Sequence, residues 1–274
     1  LLPLVQQSDP ELYGMKVTIL GSGPSSGVPL VGDDWGNCDP SESKNRRRRS
    51  SILVENGATT ILVDSSPDCR AQLLDANVSR ADAVVYTHAH ADHSHGIDDL
   101  RWLNRAMHAD LPIFGDRQTI DELRQRFRYA FEPLKIFDDQ PKRYYKPMLQ
   151  PKIIEGPFTI GEIGITPFVQ NHGYSDTLGF RFGNFGYSTD VLMLDNNAFD
   201  VLEGVDTWVV DCFSHLPHRT HSHLSQTLEW IERLRPRRAI LTHMGQHLDY
   251  ATMVRELPRG VEPGYDGIVL DINA

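Results

Sequence analysis

Cysteine is scarce in this chain. The 274 residues hold Cys38, Cys69 and Cys212, with no CxxC pair. An odd number at wide spacing argues against a disulfide framework and points to a reducing compartment. Apolar runs are short as well. None approaches the length of about 18 residues that a membrane-spanning helix needs. Positive charge is in deficit: 27 Lys and Arg stand against 37 Asp and Glu, a formal net charge of −10. A long RNA or DNA held through its phosphates calls for a basic face. The acidic balance argues against such a partner and leaves a small phosphorylated substrate open. The opening LLPLVQQSDPELYG has no positive start and turns polar after its fifth residue, which makes it a poor signal peptide. Internal repeats and low-complexity segments are missing too.

What is present is an ordinary globular composition, 40% hydrophobic and 23% charged. The expectation is a cytoplasmic protein with an N-terminal arm over residues 1–14 and one domain over 15–274. Short β-branched runs separated by turn signals read as strands: KVTILGSG, SSILVENG, TTILVDSS and AVVYTHAH in the first third, then GEIGITPFVQNHG, TLGFRFGNFGYSTD, TWVVDCF, RAILTHMG and GIVLDI. Amphipathic stretches near 68–76, 96–107, 116–129, 223–234 and 249–257 read as helices. Strands that begin as a meander and then interleave with helices fit an α/β fold of two mixed sheets with helices outside. Segment 132–152, EPLKIFDDQPKRYYKPMLQPK, reads as a long loop, either a lid over a site or a surface excursion packed on its own tyrosines.

Strand ends carry the chemistry. LVDSS ends in Asp64, VVYTHAH in His88 and His90, VQNHG in His172, YSTD in Asp190 and AILTH in His243. Core histidines would fall inside the apolar runs instead. The densest group is HAHADH. His88 and His90 are two apart, so alternation puts both imidazoles on one side and within reach of one ion. Asp92 and His93 lie where the chain turns toward a helix and should serve a second ion. His95, next to Gly96, is expected to face out or cap the helix.

THAHADH preceded by TTILVDSS and followed in order by NHG, STD and LTH resembles the metallo-β-lactamase fold superfamily over nearly the whole chain from Met15. LGSGPSSGVP, HGIDDLRW, RTHSHLS and LPRGVEPGYDG are similar to segments of its PhnP-type phosphodiesterases. The resemblance implies an αββα sandwich of two mixed β-sheets flanked by helices, with a dinuclear site at their open edge. It assigns His88, His90 and His172 to one ion, Asp92, His93 and His243 to the other, and Asp190 as the bridge. Imidazole and carboxylate ligands without sulfur suit zinc or manganese. The chain departs from the PhnP pattern in GDDWGNCDPSESKNRRRRSS, which keeps only Cys38 of a cysteine cluster that holds a structural zinc. One thiolate cannot build that site, so other contacts must hold this loop.

The resemblance also implies that Asp64 orients a metal-binding histidine through its second ring nitrogen, against the plainer reading of a turn aspartate. It matches His221 to a histidine that acts on substrate, against a capping or surface role. Asp92 counts with His221 among the catalytic groups, and His223 could orient His221 or touch substrate. His215 and His218 read as surface or lid residues. GSGPSSG lacks the lysine and spacing of a nucleotide loop. It reads as rim, with Ser25 and Ser26 able to donate to a substrate phosphate. Arg46 to Arg49 read as a solvated loop or as a cation patch for phosphate.

The activity this implies is hydrolysis of a phosphodiester, small or cyclic and nucleotide-like, by a hydroxide held between two divalent ions. The alternatives are a tRNase Z-type RNA-processing nuclease, against which the charge argues, a thioester or lactam hydrolase on the same fold, and a scaffold that has lost catalysis. No membrane and no long nucleic acid are expected as partners, and the chain is expected alone or as a homodimer.

Overall fold

Alternation within the first strands sets the layers. In the computed structural model, which describes residues 14–134 and 144–273, four early strands follow in turn: β1 (Met15–Gly21), β2 (Ser51–Asn56), β3 (Thr59–Val63) and β4 (Ala83–Val85). Val17, Ile19, Ile52, Val54, Ile61, Val63 and Val85 enter one buried cluster. Leu20, Leu53, Leu62 and Val84 enter another on the opposite face. A period of two sends successive side chains to opposite faces. With both faces covered, the strands read as the nearly continuous apolar runs seen in the sequence.

The chain continues through β5 (Leu111–Gly115), β6 (Leu149–Ile153), β7 (Phe158–Ile160), β8 (Ile163–Asn171), β9 (Asp176–Phe182), β10 (Phe185–Ser188), β11 (Thr207–Asp211), β12 (Arg238–Thr242), β13 (Val261–Pro263) and β14 (Val269–Ile272). Two seven-stranded sheets result, in the orders β14-β1-β2-β3-β4-β5-β6 and β13-β12-β11-β10-β9-β8-β7. Phe180, Phe182, Phe185, Tyr187, Val209 and Ile240 of the second sheet close the inner cluster against the first. Helices Cys69–Asp75, Arg101–Met107 and Arg117–Arg126 cover the outer face of the first sheet through Leu73, Leu103, Ile120 and Leu123. Helices Asn196–Leu202, Leu224–Leu234 and Tyr250–Glu256 cover the second through Phe199, Leu202, Trp230 and Met253. This is the αββα sandwich of two mixed sheets expected from the sequence. No helix among the described residues is long and apolar enough to cross a membrane.

Strand direction then decides where the site lies. β8 and β10 are both antiparallel to β9, and β10, β11 and β12 are mutually parallel. Four strands of the second sheet therefore end on one edge. In the first sheet β3, β4 and β5 are parallel to one another and share an edge of their own. Leu178 N donates to Thr87 O at 2.9 Å, joining the start of β9 to the loop after β4.

Two expectations need correction, and one helix goes unread in the sequence. Part of segment 132–152 is β6, an edge strand whose ladder faces β5 alone. An edge is where a strand tolerates a residue without an N–H, here Pro151. Residues 135–143 of that segment, like residues 1–13 of the expected arm, lie outside the described residues. Helix Asn196–Leu202 lies outside the stretches read as helical from the sequence. Asp195 caps it by accepting from Ala198 N at 2.8 Å. The arginine run is not a solvated loop. Bridges Val28↔Arg47 and Gly23↔Arg49 give it a strand's alternation. Arg47 is buried, Arg48 pairs with Asp75 at 2.6 Å, Arg49 pairs with Asp68 at 3.2 Å, and Arg46 lies over the Trp35 ring.

Candidate metal centre

Each candidate side chain is delivered by a chain leaving a strand end. Asp64 follows β3, His172 follows β8 and His243 follows β12 directly, while Asp190 lies two residues beyond Ser188, the last residue of β10. β4 stops at Val85, so His88 and His90 sit in the following loop, not in the strand. Asp92 and His93 occupy the single turn Ala91–Ser94. Asp64, Asp190 and His243 have φ of 62, 54 and 56°, the left-handed region. Such conformations cost about 1–3 kcal/mol each in a non-glycine residue and persist only where their surroundings over-determine them. The turn redirects the chain at the sheet edge and aims these side chains inward.

The groups converge. His88, His90 and His172 offer ligand atoms within 4.8 Å of one another, and so do Asp92, His93, Asp190 and His243. Asp190 stands between the two sets. Its Oδ1 lies 4.0 Å from His88 Nε2 and 3.7 Å from His172 Nε2. Its Oδ2 lies 3.0 Å from His93 Nε2 and 3.2 Å from His243 Nδ1. Asp92 Oδ2 is 3.2 Å from His93 Nε2. All of these residues are buried except His90, whose ring is exposed.

A further set of contacts orients the rings. Asp64 Oδ2 is 2.7 Å from His93 Nδ1, and its two oxygens also accept from Thr87 N and Thr87 Oγ1. His172 Nδ1 donates to Thr220 O at 2.7 Å, and His88 Nδ1 lies 2.9 Å from Thr87 Oγ1. Engaging one ring nitrogen sets the tautomer and leaves the other for a ligand. Ser50 Oγ approaches His243 Nδ1 at 3.3 Å.

These residues fit divalent metal ions. His88 Nε2 and His243 Nε2 are buried and without a hydrogen-bond partner, a costly state unless something else satisfies them. Burial pushes the imidazoles of His88 and His243 down, so both are neutral and carry lone pairs. Burial opposes a proton on His93 too, but Asp190, Asp92 and Asp64 outweigh it and hold its pKa well above the usual value. Burial raises Asp190, and His243 and His93 reverse this, holding its carboxyl well below the usual range. A positive charge belongs between these carboxylates. In a metal-free chain the His93 proton supplies it, and metal binding must release that proton.

His221 joins the cluster from the loop before helix Leu224–Leu234. Its ring stacks on His243 at 4.6 Å between centroids and meets His172 at 4.9 Å. Its Nδ1 lies 3.0 Å from Asp211 Oδ2. Burial disfavours the charged ring, but Asp211 prevails and pushes the pKa up to about 9. Asp211 was missed in the sequence, although TWVVDCF shows the same signal as the other sites, an apolar strand ending in Asp. It is fully buried, and the parallel bridge Ser214↔His223 folds the loop back to bring His221 beside it.

The remaining candidates lie outside the ligand groups. His95 is exposed and packs edge-on against Phe127. His223 takes the N-cap position of helix Leu224–Leu234 without a side-chain cap bond and belongs to none of the ligand groups. Ser25 and Ser26 are exposed on a turn, where Ser26 Oγ donates to Gly27 O at 3.0 Å. The turn lies close to the site, because Met244 N donates to Ser22 O. His215 and His218 are exposed, and His218 stacks on His221 at 5.3 Å.

Residues 59–244 match the family model for the beta-lactamase superfamily domain. Among solved structures, the chain is similar to a new diphosphatase from the PhnP family, with 31% identity, 93% of this chain and 96% of that one covered, and a TM-score of 0.85. Among curated proteins, it is 28% identical over 265 residues to an octanoyltransferase of Porphyromonas gingivalis, covering 93% of this chain and 51% of that protein. The chain thus spans about half the length of that relative. It is 26% identical over 315 residues to coenzyme PQQ synthesis protein B of Pseudomonas fluorescens, covering 93% of this chain and 99% of that protein.

Proposed function

The chain belongs to the beta-lactamase superfamily, and from that premise we propose that it is a metal-dependent hydrolase of small phosphodiesters or diphosphates, nucleotide-like in kind. The observation that carries this reading is Asp190, whose two oxygens face His88 and His172 on one side and His93 and His243 on the other. His88, His90 and His172 would hold one divalent ion, Asp92, His93 and His243 a second, and Asp190 both. Zinc and manganese both suit this donor set. Such ions, when bound, lower the pKa of water from about 15.7 towards 7 and neutralise charge on phosphoryl oxygens.

The chain's own residues do the rest. Asp64 and the Thr220 carbonyl hold His93 and His172 by Nδ1 and so present Nε2 to the centre. His221, kept protonated at Nδ1 by Asp211, is the group able to face a developing negative charge or to give a proton to a leaving alkoxide. A general acid of this kind needs a partner that stabilises its charged form, and a buried carboxylate 3.0 Å away is one. The diphosphatase named among the similar structures supports a phosphorus centre over a carbonyl one. The net charge of −10 speaks against the RNA-processing alternative.

The test is metal-loaded protein assayed in parallel on bis-p-nitrophenyl phosphate, a nucleoside diphosphate ester, nitrocefin and an acyl thioester. Turnover of either phosphorus substrate, abolished by His88→Ala, is expected. Preferential turnover of nitrocefin or the thioester would overturn the proposal.

A further inference from the structure

Arg47 carries a charge the site described above does not use. It is 2% exposed and, after Trp208, heads the large fully buried side chains. Among the described residues it enters no salt bridge. Its partners are neutral: Nη2 donates to Leu248 O at 2.8 Å and to Asn45 Oδ1 at 3.2 Å, and Nη1 approaches Gly245 O at 3.3 Å, Met244 O at 3.5 Å and Cys38 Sγ at 3.8 Å. Asp249 and Asp266 act on it only from a distance, and a buried charge without a counter-charge in direct contact is costly unless well-placed hydrogen bonds offset that cost. Here three of the acceptors are backbone carbonyls of one turn, 244–248, which begins immediately after His243.

Arg47 is the one side chain among the described residues that takes three carbonyls of this turn together. Met244 O, Gly245 O and Leu248 O converge on one guanidinium, and with no cation between them their dipoles would repel. His243 itself sits at φ 56°, a conformation that relaxes unless neighbouring contacts impose it. Further ties reach the same turn, as Gly245 N donates to Phe213 O and Asn37 N to Gln246 O, while Asn45 Nδ2 donates to Asp249 Oδ1 just beyond it at 2.7 Å. A planar fork serves several carbonyls in fixed directions, which the compact, strongly hydrated ammonium of a lysine does not reproduce.

We propose that Arg47 is a positioning residue for His243: its buried guanidinium gathers the carbonyls of turn 244–248 and so holds the His243 ring against Asp190. This rests on the reading of His243 as a metal ligand. It assigns the loop 28–49, which the lone Cys38 cannot anchor through a metal, a second task beyond its own stability.

The experiment compares Arg47→Ala, Arg47→Lys and, as reference, His243→Ala. Zinc affinity is measured by competition with a chelator, the visible spectrum of the cobalt-substituted protein is recorded, and thermal midpoints are taken on the same samples. The expected result is that both Arg47 variants weaken the ion that His243→Ala loses, by about 10- to 100-fold, as changes to the groups behind metal ligands do. The other ion should be retained. Millimolar guanidinium should restore the affinity and the cobalt spectrum of Arg47→Ala, and ammonium should not, because it lacks the fork. Folded Arg47 variants with wild-type metal affinity would overturn the proposal. So would a lowered thermal midpoint with both ions weakened alike, or equal rescue by ammonium. If Arg47→Ala does not fold, Arg47→Lys decides by the same criteria. If His243→Ala loses no ion, the metal assignment of His243 fails, and that outcome is separate from any result on Arg47.

Discussion

Asp211→Asn removes one negative charge beside His221 and keeps the shape of the side chain. The carboxylate Oδ2 lies 3.0 Å from His221 Nδ1 and accepts from Val191 N at 2.9 Å, and an amide oxygen in its place can serve both donors. Charge is therefore the main thing lost. Burial by itself lowers the His221 pKa, and Asp211 turns this into a rise to about 9. Measured from the ordinary 6.5, at about 1.4 kcal/mol per pKa unit, the rise is worth roughly 3 kcal/mol in favour of the imidazolium. A folded pKa above the unfolded one makes folding stabilise the charged ring. That contribution is fully present below pH 6.5, declines as pH rises, and is lost above about 9. In Asp211→Asn burial is opposed only by the more distant Asp190 and Asp92, so the His221 pKa should fall and the decline across that window should shrink. The measurement is NMR of the histidine rings in metal-free protein, because nearby divalent cations would themselves disfavour the imidazolium. Urea titrations on either side of the window give the stability arm. In the metal-loaded enzyme the same substitution should lower turnover by about 10²–10⁴-fold if His221 works as an acid. A wild-type His221 that titrates at or below the ordinary value would refute this reasoning, as would an unchanged titration in Asp211→Asn.

Metal analysis of protein never exposed to chelator should give close to two equivalents per chain, and one equivalent with full activity would exclude a dinuclear centre. Asp190→Asn should be more damaging than Asp92→Asn, since Asp190 faces both histidine pairs and Asp92 only the pair of His93 and His243. Rates measured against metal concentration check this, and full rescue of Asp190→Asn by excess metal would show that it does not bridge. His221→Ala should keep its metal and lose more rate on an alkyl leaving group, which needs a proton, than on p-nitrophenolate, which does not. Loss of metal together with activity would instead place His221 among the ligands, and equal losses on both substrates would exclude the proton donor.

The residues that converge at the site were largely legible in the chain, because the signal is local. An apolar run long enough for one strand, followed at once by His or Asp, marks a side chain at a sheet edge. HAHADH packs four candidate ligands into six positions that a strand end and one helical turn can both present. The buried layers were legible for a similar reason: alternation such as that of Ile52, Leu53 and Val54 needs no distant information to specify two covered faces. What the sequence could not settle is which element meets which. Asp211 carries the same strand-end mark as Asp190, yet its role depends on His221, brought beside it by the fold of an intervening loop. Pro151 argues against a strand until β6 is seen to lie at an edge, where its missing N–H goes unneeded. Arg47 shows the limit most clearly. Four arginines in a row look solvated in an acidic chain, and nothing within the run singles out the second. Only the pairing of Val28 with Arg47 turns that side chain inward, and only the turn after His243, some two hundred residues along, supplies the carbonyls that make a buried guanidinium tolerable. Local pattern determines which face a side chain takes. The partner that gives it a function is chosen by the packing of distant segments, and a single sequence does not record that packing.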